Sequence, residues 1–424
     1  MPFPHELTDR QRDLIGRADE LAAVFAKRAE IHDPQGSFPY ENFRDLHDAG
    51  ILRLAVPREY GGAGADLFDV VLAHERLGRG DGSTALVSGM YHALFGRLRD
   101  ERPWPEPVFE SVCRGIAEHG GVLNSCVTEP DLGSISRGGL PATSATPAPG
   151  GWRIKGRKTF VTGAPILRYF ITAVVLPPSA DAPHGESAFA VIPSDTPGLS
   201  IAPAWGQNLS LRTCGNDTVT FHDVFVPEDW LVERKIIKPT GQATPGPQTS
   251  GPPVPSFGVF GWVLSVSAVY LGIGQGALEA AADYANNRVP TGLGRPIATQ
   301  PQIQQWIGEM EVALEAARAV LYQTVRAWDA RPGHDVDGRK ALGPHVAAAK
   351  HLVTNTACAV TDKALRVAGG FSLTRDLPLE RHFRDARGGL FQPPQDDLAL
   401  GFIGRTVLYG RQPPLPKLAL VAGE

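Results

Sequence analysis

A chain of 424 residues exceeds one ordinary hydrophobic core, so two or three domains or layers are expected, and 42% hydrophobic against 20% charged residues describes a globular protein with ample apolar surface to bury. The formal net charge of -4 offers no basic stripe, which argues against a nucleic-acid partner and leaves any cofactor phosphate to a few placed donors. The four cysteines, Cys113, Cys126, Cys214 and Cys358, form neither a C-x-x-C pair nor a metal spacing, so they read as buried reduced thiols of a cytoplasmic protein without a metal site.

The first residues, Met1-Pro2-Phe3-Pro4-His5-Glu6, lack a basic leader followed by an apolar core, and no secretory signal is expected. Up to about Glu118 the pattern is helical: Leu14, Ala18, Leu21, Ala22 and Phe25 recur at helical spacing, as do Phe68, Val71, Leu72, His74 and Leu77. The turn-rich run Leu52 to Gly64 interrupts it. From Gly121 to about Val232 short alternating runs bounded by Gly, Pro and Asn predict a small β-barrel or sandwich. The stretch Lys238 to Ser256 is rich in Pro, Gly, Thr and Gln without apolar periodicity and reads as an exposed linker. Beyond it, Phe257 to Leu278 carries no charge and is long enough to span a membrane. No second span appears and amphipathic helices follow at once, at Ile303 to Trp328 and His345 to Ala368, so it reads as a helix buried on all sides, with no membrane partner. The expected division is a helical 1–120, a β-rich 121–233, a linker 234–256 and a helix bundle 257–424.

Six motifs punctuate this layout. They are Pro57-Arg58-Glu59-Tyr60-Gly61-Gly62-Ala63-Gly64, Thr128-Glu129-Pro130-Asp131-Leu132-Gly133-Ser134, Gly156-Arg157-Lys158-Thr159-Phe160-Val161-Thr162, Phe221 to Pro227, Arg366-Val367-Ala368-Gly369-Gly370-Phe371 and Glu380 to Ala386. Together they resemble the acyl-CoA dehydrogenase family over nearly the whole chain. The resemblance implies an α+β fold with an N-terminal helical bundle, a middle β-barrel and a C-terminal helix bundle, a bound FAD, and a homodimer or homotetramer.

The resemblance also implies site residues. Backbone amides and Thr hydroxyls can bond the edge of a flavin without adding charge, and Cys126, Val127, Thr128, Gly133 and Ser134 from the first turn, with Phe160, Val161 and Thr162 from the second, take the flavin-contacting places. Phe160 stands where an aromatic covers one flavin face. Ile135 follows Ser134 where the family has Asp, which weakens substrate contacts inferred from that turn. Arg288 matches an arginine that reaches a cofactor pyrophosphate across a subunit boundary, a task for a planar guanidinium fork. Arg366, Gly369 and Gly370 match the turn beside the adenosine of a neighbouring subunit's FAD, where bare backbone allows close approach. Glu380-Arg381-His382-Phe383-Arg384-Asp385-Ala386 reads as a charged structural network.

Desaturation of an acyl thioester removes an α-proton while hydride goes to the flavin, so a carboxylate must face the substrate. The family places it eight residues after the Asp of R-D-A, which here is Pro393; an alternative family position falls on Trp262. Neither accepts a proton. Asp396 and Asp397 lie close by, Gln392 can orient but not exchange protons, and His92 is either a pocket residue or a core histidine. The catalytic residue is therefore unassigned. Three readings stay open: an FAD-dependent oxidoreductase desaturating an acyl-CoA or acyl-carrier thioester and passing electrons to an electron-transfer flavoprotein; a flavin-dependent monooxygenase for a sulfur or nitrogen compound, served by a flavin reductase; and a flavin-binding scaffold without chemistry.

Overall fold

The structure is a computed structural model that describes residues 7–132, 139–237, 257–333 and 335–410. Five helices come first: α1 (Asp9–Gln35), α2 (Tyr40–Asp48), α3 (Leu67–Gly80), α4 (Gly82–Glu101) and α5 (Glu106–His119). Thr8 and Gln11 close the start of α1 with a reciprocal capping box. Its end is set by Gly36 at φ 64°, where an added Cβ would stand 2.5 Å from the Gly206 carbonyl oxygen, so the helix end touches the β-rich region backbone to backbone. The turn-rich run between α2 and α3 is two short 3-10 turns, at Ile51–Arg53 and Arg58–Tyr60.

Among the described residues eight strands follow: β1 (Val122–Cys126), β2 (Ser144–Ala148), β3 (Gly151–Val161), β4 (Leu167–Leu176), β5 (Glu186–Pro193), β6 (Leu199–Ala202), β7 (Asp217–Pro227) and β8 (Leu231–Ile236). They form one sheet in the order β6-β7-β3-β2-β4-β5-β8, with β1 paired parallel to β4. Strands β5 and β7 stand four places apart, which would separate them by about 19 Å in a flat sheet. They nevertheless touch, so the sheet curls around a core of Phe170, Ile192, Val219, Phe221 and Val224. The expected linker begins too early at 234: Arg234, Lys235 and Ile236 extend β8 against Glu186 and Ser187 of β5, with charged side chains protecting an edge strand. The linker's remaining residues, 238–256, lie outside the described residues.

The last helices are α6 (Phe257–Asn287), α7 (Pro301–Asp329), α8 (Val336–Lys340), α9 (Gly343–Ala368), α10 (Leu379–Phe391) and α11 (Asp396–Tyr409). Phe260–Asn287 is apolar and long enough to cross a membrane, yet 89% of its most apolar window is buried against α3, α4, α7, α9 and α10. Small residues allow this: a Cβ on Gly272 would come within 2.2 Å of the Glu75 carbonyl oxygen on α3. All four cysteines are buried and unpaired.

The R-D-A helix α10 joins the parts. Arg384 bonds Asp33 of α1 at 2.5 Å, Glu380 at 2.6 Å and the Leu209 carbonyl at 3.2 Å, while Arg381 donates to the Gly80 carbonyl at 3.1 Å. Asp385 accepts from the Leu211 amide at 2.7 Å, and its carbonyl accepts from Ser210 Oγ at 3.1 Å.

Candidate flavin site

Two of the motifs meet at the ends of β1 and β3. The Thr159 amide donates to the Thr128 carbonyl at 2.9 Å, and Asn124 Nδ2 donates to the Thr162 carbonyl at 3.0 Å. In the β3–β7 pair Lys158 faces Val219 and Val161 faces Asp217, so two residues of β3, Thr159 and Phe160, oppose one of β7. That is a β-bulge, a device that re-aims a side chain. Phe160 consequently takes φ 52° and leaves its ring 59% exposed. Trp205 meets this ring edge-on at 6.0 Å and is itself held by a 2.8 Å bond from Nε1 to the Leu211 carbonyl. The chain Phe160, Trp205, Leu211, Asp385 thus connects the bulge to α10.

Thr128 and Val127 are half-buried, Thr162 is buried beside the bulge, and Val161 is packed inward. Cys126 is buried at the end of β1, where burial pushes its thiol up to about 12, so it stays an inert thiol. Gly133 and Ser134 lie outside the described residues. The residues present fit a flavin: an L-residue strained into the left-handed region to expose an aromatic face, flanked by two threonines, is a surface that a flat ring would cover.

A pair that the motif reading passed over holds this arrangement. Lys158 Nζ donates to Glu129 Oε1 at 2.7 Å with both side chains buried, and the same carboxylate accepts from the Ala142 amide, the Thr143 amide and Thr143 Oγ1 at 2.7, 3.0 and 2.6 Å. Burial presses the Glu129 carboxyl up, but these four donors prevail and hold it below the usual range. The signal was in the sequence: an acid in one motif, Glu129, and a base in the other, Lys158.

A second group gathers at the end of α6. Arg288 is exposed and its guanidinium lies 4.8 Å over the Phe371 ring, which also neighbours Tyr284 at 6.2 Å. Gly369, at φ 59°, and Gly370 precede Phe371, and a Cβ on either would meet nothing within 4 Å, so bare backbone faces open space beside Arg288. Arg366 is exposed and pairs with Asp362 at 2.8 Å one turn back on α9.

No carboxylate stands at either of the two family positions for the base. Pro393 is exposed in the link between α10 and α11, and Trp262 is half-buried on α6. Asp396 accepts from Asn355 Nδ2 at 2.9 Å and faces Lys350 Nζ at 3.5 Å and His351 Nδ1 at 3.2 Å. Burial alone would raise its carboxyl, yet these neighbours hold it below the usual range, which makes it a weak base. Asp397 is exposed. His92 is a core residue: its two ring nitrogens lie 2.6 and 2.8 Å from the Ser88 and Ile51 carbonyls, and burial pushes it down to about 4.

Comparison with known proteins agrees with this layout. Family models described as the acyl-CoA dehydrogenase N-terminal, middle and C-terminal domains match residues 8–98, 124–224 and 264–389. A putative acyl-CoA dehydrogenase YdbM of Bacillus subtilis is 36% identical over 392 residues, covering 92% of this chain and 96% of that protein. The amino sugar nitrososynthase RubN8 of Streptomyces rubradiris is 31% identical over 403 residues, covering 92% and 87%. The solved structure of KijD3 in complex with FMN and dTDP-3-amino-2,3,6-trideoxy-4-keto-3-methyl-D-glucose superposes with a TM-score of 0.80 at 26% identity, covering 96% of each chain. The chain belongs to the acyl-CoA dehydrogenase family, with that family's fold and a flavin as its cofactor.

Proposed function

We propose that the chain is a flavin-dependent monooxygenase that acts on a nitrogen or sulfur compound and receives reduced flavin from a partner reductase. The observation that carries this reading is that neither family position holds a base: 393 is proline and 262 is tryptophan, while neighbouring Asp396 is engaged by Lys350, His351 and Asn355. When bound, the flavin supplies the electrons and the centre at which oxygen is activated. Thr128 and Thr162 orient its polar edge, and Phe160 covers one face and keeps water from it. Gln392 can hold a substrate acceptor or donor in place without moving a proton. RubN8, a nitrososynthase, and KijD3, solved with FMN and an amino sugar, support the same reading from the side of the relatives.

Desaturation of an acyl thioester on CoA or a carrier protein, with an electron-transfer flavoprotein as acceptor, is the second reading, favoured by the likeness to YdbM. Arg288 and the open backbone of Gly369 and Gly370 suit the adenosine half of FAD, brought by a neighbouring subunit, and exposed Phe371, Phe391, Leu400, Val407 and Leu408 supply apolar surface for a homodimer or dimer of dimers. The test is incorporation of labelled oxygen from O2. A dTDP-amino sugar and an aromatic thioether, each with enzymatically reduced flavin, should yield a product carrying one labelled atom. Reduced flavin consumed with release of peroxide alone from both would sink the oxygenase reading.

A further inference from the structure

We propose that Glu129 and Lys158 form a positioning clasp that fixes the β3 bulge and thereby presents Phe160 and Thr162 to the flavin. This role concerns the cofactor and is independent of which substrate the site takes. A left-handed conformation at a bulky L-residue persists only where its surroundings over-determine it. Along β3 the pairing with β7 cannot do so, because the register shift between Lys158 and Val161 leaves Thr159 and Phe160 without paired partners of their own. Two contacts take its place. One is the Thr159 amide bond to the Thr128 carbonyl at 2.9 Å, and the other is the Lys158 to Glu129 bond at 2.7 Å, which brackets it one residue away on each strand. Glu129 also accepts from Ala142 and Thr143, so a single carboxylate ties three stretches of chain together behind the exposed ring. Neither charge reaches solvent: the side chains are 5% and 0% exposed. An ion pair so placed is a weak source of stability and a strong source of fixed geometry.

The experiment measures FAD binding to apo-protein by flavin fluorescence, with the visible circular dichroism of the bound flavin as a second readout. Lys158→Met leaves Glu129 with its three other donors and removes only the clasp. Its FAD Kd should rise about ten- to a hundredfold, the cost of misplacing contacts by an ångström or less, and the flavin dichroism should change. Glu129→Asp, which keeps both charges but shortens the reach, should show the same loss and keeps the test open if Lys158→Met does not fold. Arg318→Met serves as control, since it breaks another buried ion pair, the 2.8 Å bond to Glu75 between α7 and α3, without touching β3 or the segments around Phe160, and should leave Kd and dichroism near those of the native protein. A folded Lys158→Met or Glu129→Asp with native FAD Kd and dichroism overturns the proposal, and so does an equal loss in Arg318→Met.

Discussion

Replacing Asp385 by asparagine tests how α10 is docked to the sheet. Burial pushes the Asp385 carboxyl up to about 7, against the Leu211 amide bond and the charges of Arg381 and Arg384, which pull it down. A carboxyl whose folded pKa lies above its unfolded value contributes stability that is fully present below about pH 4 and is lost as pH rises through about 7. The shift of about three units corresponds to about 4 kcal/mol at most. Asp385→Asn keeps an oxygen to accept the 2.7 Å Leu211 bond and removes the titration. The variant should therefore match the native protein near about pH 4 and exceed it above about pH 7. For 424 residues that difference is a melting-temperature rise of up to about 4–5 °C. Thermal unfolding of both proteins across that range is the assay. A variant less stable than the native protein at high pH, with the deficit closing toward low pH, would mean that an ionised Asp385 holds the junction and would refute the reasoning.

Three further outcomes are expected. Phe160→Gly relieves a left-handed residue that costs about 1–2 kcal/mol and removes a stacking surface worth about 1–3 kcal/mol, so the apo-protein should melt no lower than the native one while its flavin Kd rises; a Kd unchanged by calorimetry contradicts the placement of the ring. Pro393→Glu restores a carboxylate at the family position, yet acyl-CoA should still fail to bleach the flavin anaerobically; a gain of about two to four powers of ten in reduction rate would instead restore the desaturation reading. Val407, 80% exposed on α11, is expected at a subunit contact, so light scattering should give a dimer or tetramer that Val407→Glu dissociates, and a flavin-loaded native monomer at micromolar concentration would contradict that assembly.

What the sequence disclosed was local. Motifs such as Thr128-Glu129-Pro130 and Lys158 to Thr162 are contiguous, and their chemistry is written in neighbouring residues. The apolar run of α6 could be assigned to the core because amphipathic helices follow it. The loss of a base could be found by counting from Asp385 to Pro393. Contacts between distant segments were not legible. Nothing in the linear pattern pairs Leu211 with Asp385, 174 positions apart, or places Asp329 at the end of α7 to accept from the Leu67 and Phe68 amides at the start of α3. The bulge that turns Phe160 outward depends on the register between β3 and β7, which no alternation in β3 alone specifies. Nor does the linear pattern place Lys350, His351 and Asn355 of α9 around Asp396.

The flavin site lacks a proton acceptor at both family positions, Pro393 and Trp262. The most direct measurement is an anaerobic titration of the flavin-loaded native protein with acyl-CoA thioesters of short, medium and long chain, followed by the flavin's visible absorbance. No bleaching is expected with any of them. Stoichiometric bleaching by one thioester would contradict that expectation and place an unrecognised base in the pocket.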